Sequence, residues 1–155
     1  MHSVVWSEIM SRWSIILTFG GAILLGTVAL LKAWPMINIV ETGKTPEYPV
    51  VVPRQYPTSK DRVFDAALHA VGRMPRWTLV SSRPEQGAIS AEATTRLFRF
   101  VDDVTIHCAE QNGVTLVNVR SASRVGRGDF GQNARNVRAF FDELDRQLGD
   151  RTGRS

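Results

Sequence analysis

The chain has 155 residues, 43% hydrophobic and 22% charged, with 19 Lys+Arg against 15 Asp+Glu and a single Cys. That excludes a collagen-like, disulfide-framed or wholly disordered chain and leaves room for one ordinary domain plus an appendage. The net charge of +4 is dispersed, with no run of three like charges, so it reads as a solvated surface and nucleic acid is not expected as a partner.

Residues 1–12 form a short N-terminal flank ending in Arg12. From Trp13 to Leu31 run 19 residues without a charge, closed by Lys32. A helix of that length spans about 28 Å, close to the hydrocarbon thickness of a bilayer. Trp13 and Trp34 stand at its ends, where indoles favour the interface. Residues 13–32 are therefore expected as a single transmembrane helix, with the bilayer as its partner. The alternative is a cleavable signal peptide, which needs a basic leader, a shorter apolar stretch and a small-residue cleavage site. Only Arg12 precedes the run, and Lys-Ala-Trp-Pro-Met follows it, so a retained anchor is favoured. Basic residues nearly balance across the run, and the positive-inside bias leaves its orientation open.

Residues 33–58 carry five of the seven prolines and read as an extended, proline-rich tether, with Tyr48 to Val52 as a possible edge strand. A soluble domain is expected over 59–149. Ser59 stands where an N-cap would, and Val63, Phe64, Ala67, Leu68 and Val71 follow at helical spacing until Gly72 and Pro75. A strand is predicted from Trp77 to Ser82. After a turn at Pro84 to Gly87, a second runs from Ala88 to about Thr95, with Ile89, Ala91 and Ala93 on one face. Residues 104–110 and 114–123 flank Asn112-Gly113, a hairpin signal. A closing helix is predicted over 132–148, because Val137, Phe140, Phe141, Leu144 and Leu148 recur at helical period. Residues 150–155 read as a frayed tail. The expected fold class is α+β: after the transmembrane helix, a two-layer sandwich of a four-stranded antiparallel meander sheet with two helices on one face.

Chemistry is sparse. Gly126-Arg-Gly-Asp-Phe-Gly131 matches a dinucleotide fingerprint, but it follows the last meander strand and opens the last helix, where no parallel βαβ unit exists. The glycines serve a sharp turn instead, with Asp129 near the helix N-terminus. His107 and Cys108 are neighbours on a strand and point to opposite faces, so they form no simple thiol-imidazole pair. No metal site, catalytic set or cofactor is expected. Asp102, Asp103, Arg124, Asp129 and Asn133 are expected to gather near one end of the sheet, either as structural hydrogen-bonding groups or as a ligand or partner site.

The segments Met74-Pro-Arg-Trp77, Glu92-Ala-Thr, Leu97-Phe-Arg-Phe-Val-Asp-Asp103, Val119-Arg-Ser-Ala-Ser-Arg-Val-Gly126, Asp129-Phe-Gly-Gln-Asn133 and Arg138 resemble the family catalogued as domain of unknown function fourteen-ninety-nine, over about residues 48–148. The resemblance implies no settled activity. It implies an anchored or exported bacterial protein, with plant relatives associated with chloroplasts, and hence a bacterial inner-membrane, single-pass protein whose domain is periplasmic. The motif positions carried over are Asp102, Asp103, Ser121, Ser123, Arg124, Gly126, Asp129, Gly131 and Asn133. Val101 departs from the proline expected in many relatives, which leaves residues 96–101 open as strand or loop.

The functional expectation is a membrane-anchored, non-enzymatic binding or scaffold module, an accessory component of an inner-membrane assembly with a membrane-protein partner. Its candidate binding residues are Arg96, Asp102, Asp103, Ser121, Ser123, Arg124, Asp129 and Asn133. One alternative is a small-ligand hydrolase using Asp102, Asp103, Arg124 and Asp129. Another is a binder of anionic lipid headgroups.

Overall fold

The computed structural model describes residues 36–152. The flank, the transmembrane helix expected over 13–32 and residues 153–155 lie outside the described residues. Among those described, no helix is long and apolar enough to cross a membrane.

Strands β1 (Ile39–Glu41) and β2 (Arg54–Tyr56) precede helix α1 (Lys60–Arg73). There follow β3 (Trp77–Arg83), a short 3-10 turn (Pro84–Gln86), β4 (Ala88–Thr94), β5 (Val101–Gln111), β6 (Val114–Ser123) and helix α2 (Gln132–Thr152). The expected antiparallel meander forms from β3 to β6. The sheet has six strands, however, not four. The two additional strands come from the stretch read as a tether: β1 pairs with residues 120–122 of β6, and β2 pairs with residues 115–117. Val40 and Val51 are buried in the core. Both strands are three residues long, too short to show a period, and both lie on the sheet edge, where nearby prolines remove no ladder bond. Helix α2 also runs to Thr152, into the expected tail.

Alternation sets the layers. Ile89, Ala91 and Ala93 of β4, Val104, Ile106 and Cys108 of β5, and Val117 and Val119 of β6 are buried on the face that meets the helices. They pack with Val63, Phe64 and Val71 of α1 and with Val137, Phe140, Phe141 and Leu144 of α2. Phe140 stacks on Trp77 at 6.3 Å between ring centroids. The opposite face is open and polar, with Thr105 and His107 exposed on it. Burial pushes the Cys108 thiol up to about 12, as expected for a small core residue.

Two tight turns set the register. Asn112 and Gly113 both have positive φ, 52° and 79°, the primed turn that suits a two-residue hairpin between β5 and β6. Gly87 has φ 63°, and a Cβ added there would lie 2.1 Å from the Cys108 carbonyl oxygen. Only glycine lets this turn approach β5 so closely.

Candidate functional site

At the end of the sheet where β5, β6 and the start of α2 meet, five side chains close a ring of hydrogen bonds. The Ser123 hydroxyl donates to Asp102 Oδ1 at 2.7 Å, and Asn133 Nδ2 donates to Ser123 Oγ at 2.9 Å. Ser121 donates to Asn133 Oδ1 at 2.6 Å. Asn136 Nδ2 donates both to Ser121 Oγ at 3.1 Å and to Asp102 Oδ2 at 2.8 Å. Asn133 also donates to the Asn38 carbonyl at 2.9 Å, so the ring ties β5, β6, α2 and the entry to β1 together. Strand alternation aims Ser121 and Ser123 toward the helices, and the i, i+3 spacing of Asn133 and Asn136 aims both amides at the sheet. Asp102, Ser121 and Asn133 are buried. Burial raises the Asp102 carboxyl above its usual range, while its hydrogen bonds from Ser123 and Asn136 work against that shift.

Asp103 and Arg124 stand on the opposite, exposed side. Arg124 bonds both Asp103 oxygens through Nε at 3.1 Å and also pairs with Glu92. The Arg124 hydrogen bonds hold the Asp103 carboxyl below its usual range. Glu92 and Asp103 are direct cross-strand partners, and two like charges in that position repel unless a cation lies between them. Asp129 neither joins the ring nor reaches Arg124. Its carboxylate accepts from the Gly131 and Asn133 backbone amides at 2.9 and 2.7 Å, capping α2 where its dipole favours a negative charge.

The five residues expected to gather thus divide into three groups: Asp102 and Asn133 lie in the buried ring with the candidates Ser121 and Ser123, Asp103 and Arg124 form an exposed ion pair, and Asp129 caps a helix. Asn136, a member of the ring, and Asn38, whose carbonyl accepts from it, are absent from the expected set. Two asparagines three apart on an otherwise apolar helix face were the available signal for Asn136. The Asn38 contribution is a backbone carbonyl and leaves no trace in sequence. Among the described residues no group of three or more His, Cys, Asp or Glu side chains is placed to hold a metal ion.

Arg96 lies in the loop from 95 to 100, which is not strand. The Thr95 amide donates to the Phe100 carbonyl at 2.8 Å, and the Phe100 amide donates to Thr95 Oγ1 at 2.9 Å, closing the loop on itself. Between this loop and residues 125–130 opens a cleft of about 390 Å³. Asp102 and Ser123 line it, with Arg96 and Arg135 beside them. Its lip is apolar and exposed: Leu97 79%, Phe98 68%, Phe100 47%, Val125 61% and Phe130 59%. The Phe98 and Phe100 rings stack at 5.6 Å. Phe130 is held at φ 49°, a left-handed conformation that a bulky residue rarely adopts, and Arg135 Nη1 donates to its carbonyl at 3.0 Å. Apolar side chains thus stand exposed around a cleft that has a few polar groups at its base.

The fold and this arrangement define an α+β two-layer domain with an apolar-lipped cleft at one sheet end. The chain belongs to the family described as Protein of unknown function (DUF1499), whose model matches residues 30–144. No curated protein matches it. Among solved structures it is similar to the crystal structure of TTHA0849 from Thermus thermophilus, with 11% sequence identity and a TM-score of 0.40, covering 76% of this chain and 99% of that one.

Proposed function

We propose that the protein is a membrane-anchored, non-enzymatic binding module that grips an apolar group through the cleft at its loop end. One observation carries this reading: five large apolar side chains stand exposed together around the cleft, a concentration that monomeric surfaces reserve for contact sites. The polar groups nearby are engaged within the fold. Asp102 is bonded inside the ring, Asp129 caps a helix, and Arg124 bridges Asp103 and Glu92 across the sheet. That division supports a binding role over hydrolysis, because the Ser123 hydroxyl and the Asp102 carboxylate beside it are both engaged in hydrogen bonds inside the ring. The anchor rests on the uncharged run from Trp13 to Leu31, and the family resemblance favours a bacterial inner membrane with the domain on the periplasmic side.

The test is site-specific photocrosslinking of the full chain in native membranes. A benzophenone amino acid at Phe98 is expected to give one defined adduct, while the same group at Gln111, at the opposite end of the sheet, gives none. Equal and diffuse labelling from both positions would overturn the reading.

A further inference from the structure

Resting on that reading of the loop end as the contact surface, we infer that its occupant is an anionic phospholipid surface, into which Leu97, Phe98, Phe100, Val125 and Phe130 insert. The chain enters the domain at this same end. The Asp129 amide donates to the Ile37 carbonyl at 3.1 Å, the Ser123 amide donates to the Asn38 carbonyl at 2.8 Å, and Asn38 Nδ2 donates to the Gly126 carbonyl at 2.8 Å. Met36, 71% exposed, lies against Gly128, where an added Cβ would sit 3.3 Å from its Sδ. Four residues, Lys32 to Pro35, separate Leu31 from Met36. Fully extended, that connection reaches roughly 17 Å. With the anchor proposed above ending at Leu31, covalent reach keeps Met36 within that distance of its end. From the sequence alone, residues 33–58 read as an extended, proline-rich tether. The pairing of β1 and β2 with β6 consumes that length.

The charge of the loop end fits such a surface. Arg96 and Arg99 lie among the apolar residues of one loop and Arg127 in the other, and none of the three forms an ion pair among the described residues. The nearby acids are engaged: Asp102 in the ring, Asp129 with backbone amides, and Asp103 and Glu92 with Arg124. Aromatic side chains with basic neighbours are the composition that settles at the boundary between headgroups and acyl chains.

The experiment uses the full chain in lipid nanodiscs, of phosphatidylcholine alone or mixed with phosphatidylglycerol, with a nitrobenzoxadiazole label on Phe98→Cys or Gln111→Cys. Cys108 is buried and takes no label. A nitroxide on the lipid chains reports depth. Blue-shifted emission and strong quenching at position 98, absent at 111, greater with phosphatidylglycerol and reduced by Arg96→Glu, Arg99→Glu and Arg127→Glu together, is the expected result. Emission at 98 that stays water-like in both lipids overturns the inference. A photocrosslink from Phe98 to a protein, with the label aqueous in lipid-only discs, also overturns it while leaving the binding-module reading standing. Release of the chain from native membranes by alkaline washing overturns both.

Discussion

At the residue scale, the structure assigns different jobs to two neighbouring carboxylates that look interchangeable in sequence. Asp102 and Asp103 are successive strand residues and therefore face opposite sides of the sheet. Asp102, facing the helices, accepts only from neutral donors, whereas Asp103 has the Arg124 guanidinium. Asp102→Ala strips the Asn136 amide and the Ser123 hydroxyl of an acceptor and is expected to cost about 1–3 kcal/mol in urea unfolding. Asp102→Asn keeps the shape and an acceptor and is expected to cost less. Because the folded state raises the Asp102 carboxyl, the native chain holds its proton more tightly than the unfolded one. Stability conferred by the protonated form is thus full below the ordinary carboxylate value and is lost as pH rises through the raised one. Wild type should accordingly gain on Asp102→Asn as pH falls through that window, measured as the difference in Tm. Gly87→Ala forces a Cβ onto the Cys108 carbonyl at φ 63°. It is expected to destabilise by more than about 1 kcal/mol, exceeding the gain that Ala gives where its backbone fits.

Among the elements, those with long periodic faces were legible in the sequence. The alternation of Ile89, Ala91 and Ala93 places β4, and the spacing of Val137, Phe140, Phe141 and Leu144 places α2, because each repeats a burial pattern several times over. Residues 37–58 were not legible in this way. Here one buried apolar residue per segment, Val40 or Val51, anchors a strand or turn, and a single apolar residue has no period. The motif from Arg120 to Asn133 marked the right sheet end. It did not reveal that alternation would send Ser121 and Ser123 to one side of the sheet and Arg124 to the other. If β1 is structural, Val40→Ala should cost roughly 2 kcal/mol in chemical denaturation; a residue of a loose tether would give no change. Arg124→Ala should lower stability by leaving Glu92 opposite Asp103, and added salt should shrink the deficit in thermal melts, because exposed charges are screened.

For the whole molecule, the domain is polarised. One end carries the hairpin at Asn112-Gly113 and exposed polar residues, and the other carries the chain entry at Met36, the apolar lip and the arginines Arg96, Arg99 and Arg127. The buried ring of Asp102, Ser121, Ser123, Asn133 and Asn136 underlies that second end and fixes the base from which both loops spring. On this account the polar ring is a foundation, and the exposed residues above it are the proposed contact surface. Leu97→Ser, Phe98→Ser and Phe130→Ser together should lower Tm only slightly, since all three side chains are exposed and the Phe98–Phe100 stack they remove lies on the surface, yet they should abolish the crosslink from the loop end, read with the benzophenone placed at Phe100. Hydrogen exchange of the full chain in membrane discs, wild type against that triple variant, tests the central claim most directly. The account predicts slower wild-type exchange confined to residues 95–100 and 124–131, with the Asn112 hairpin unchanged. Identical exchange of those two loops in both proteins would contradict it.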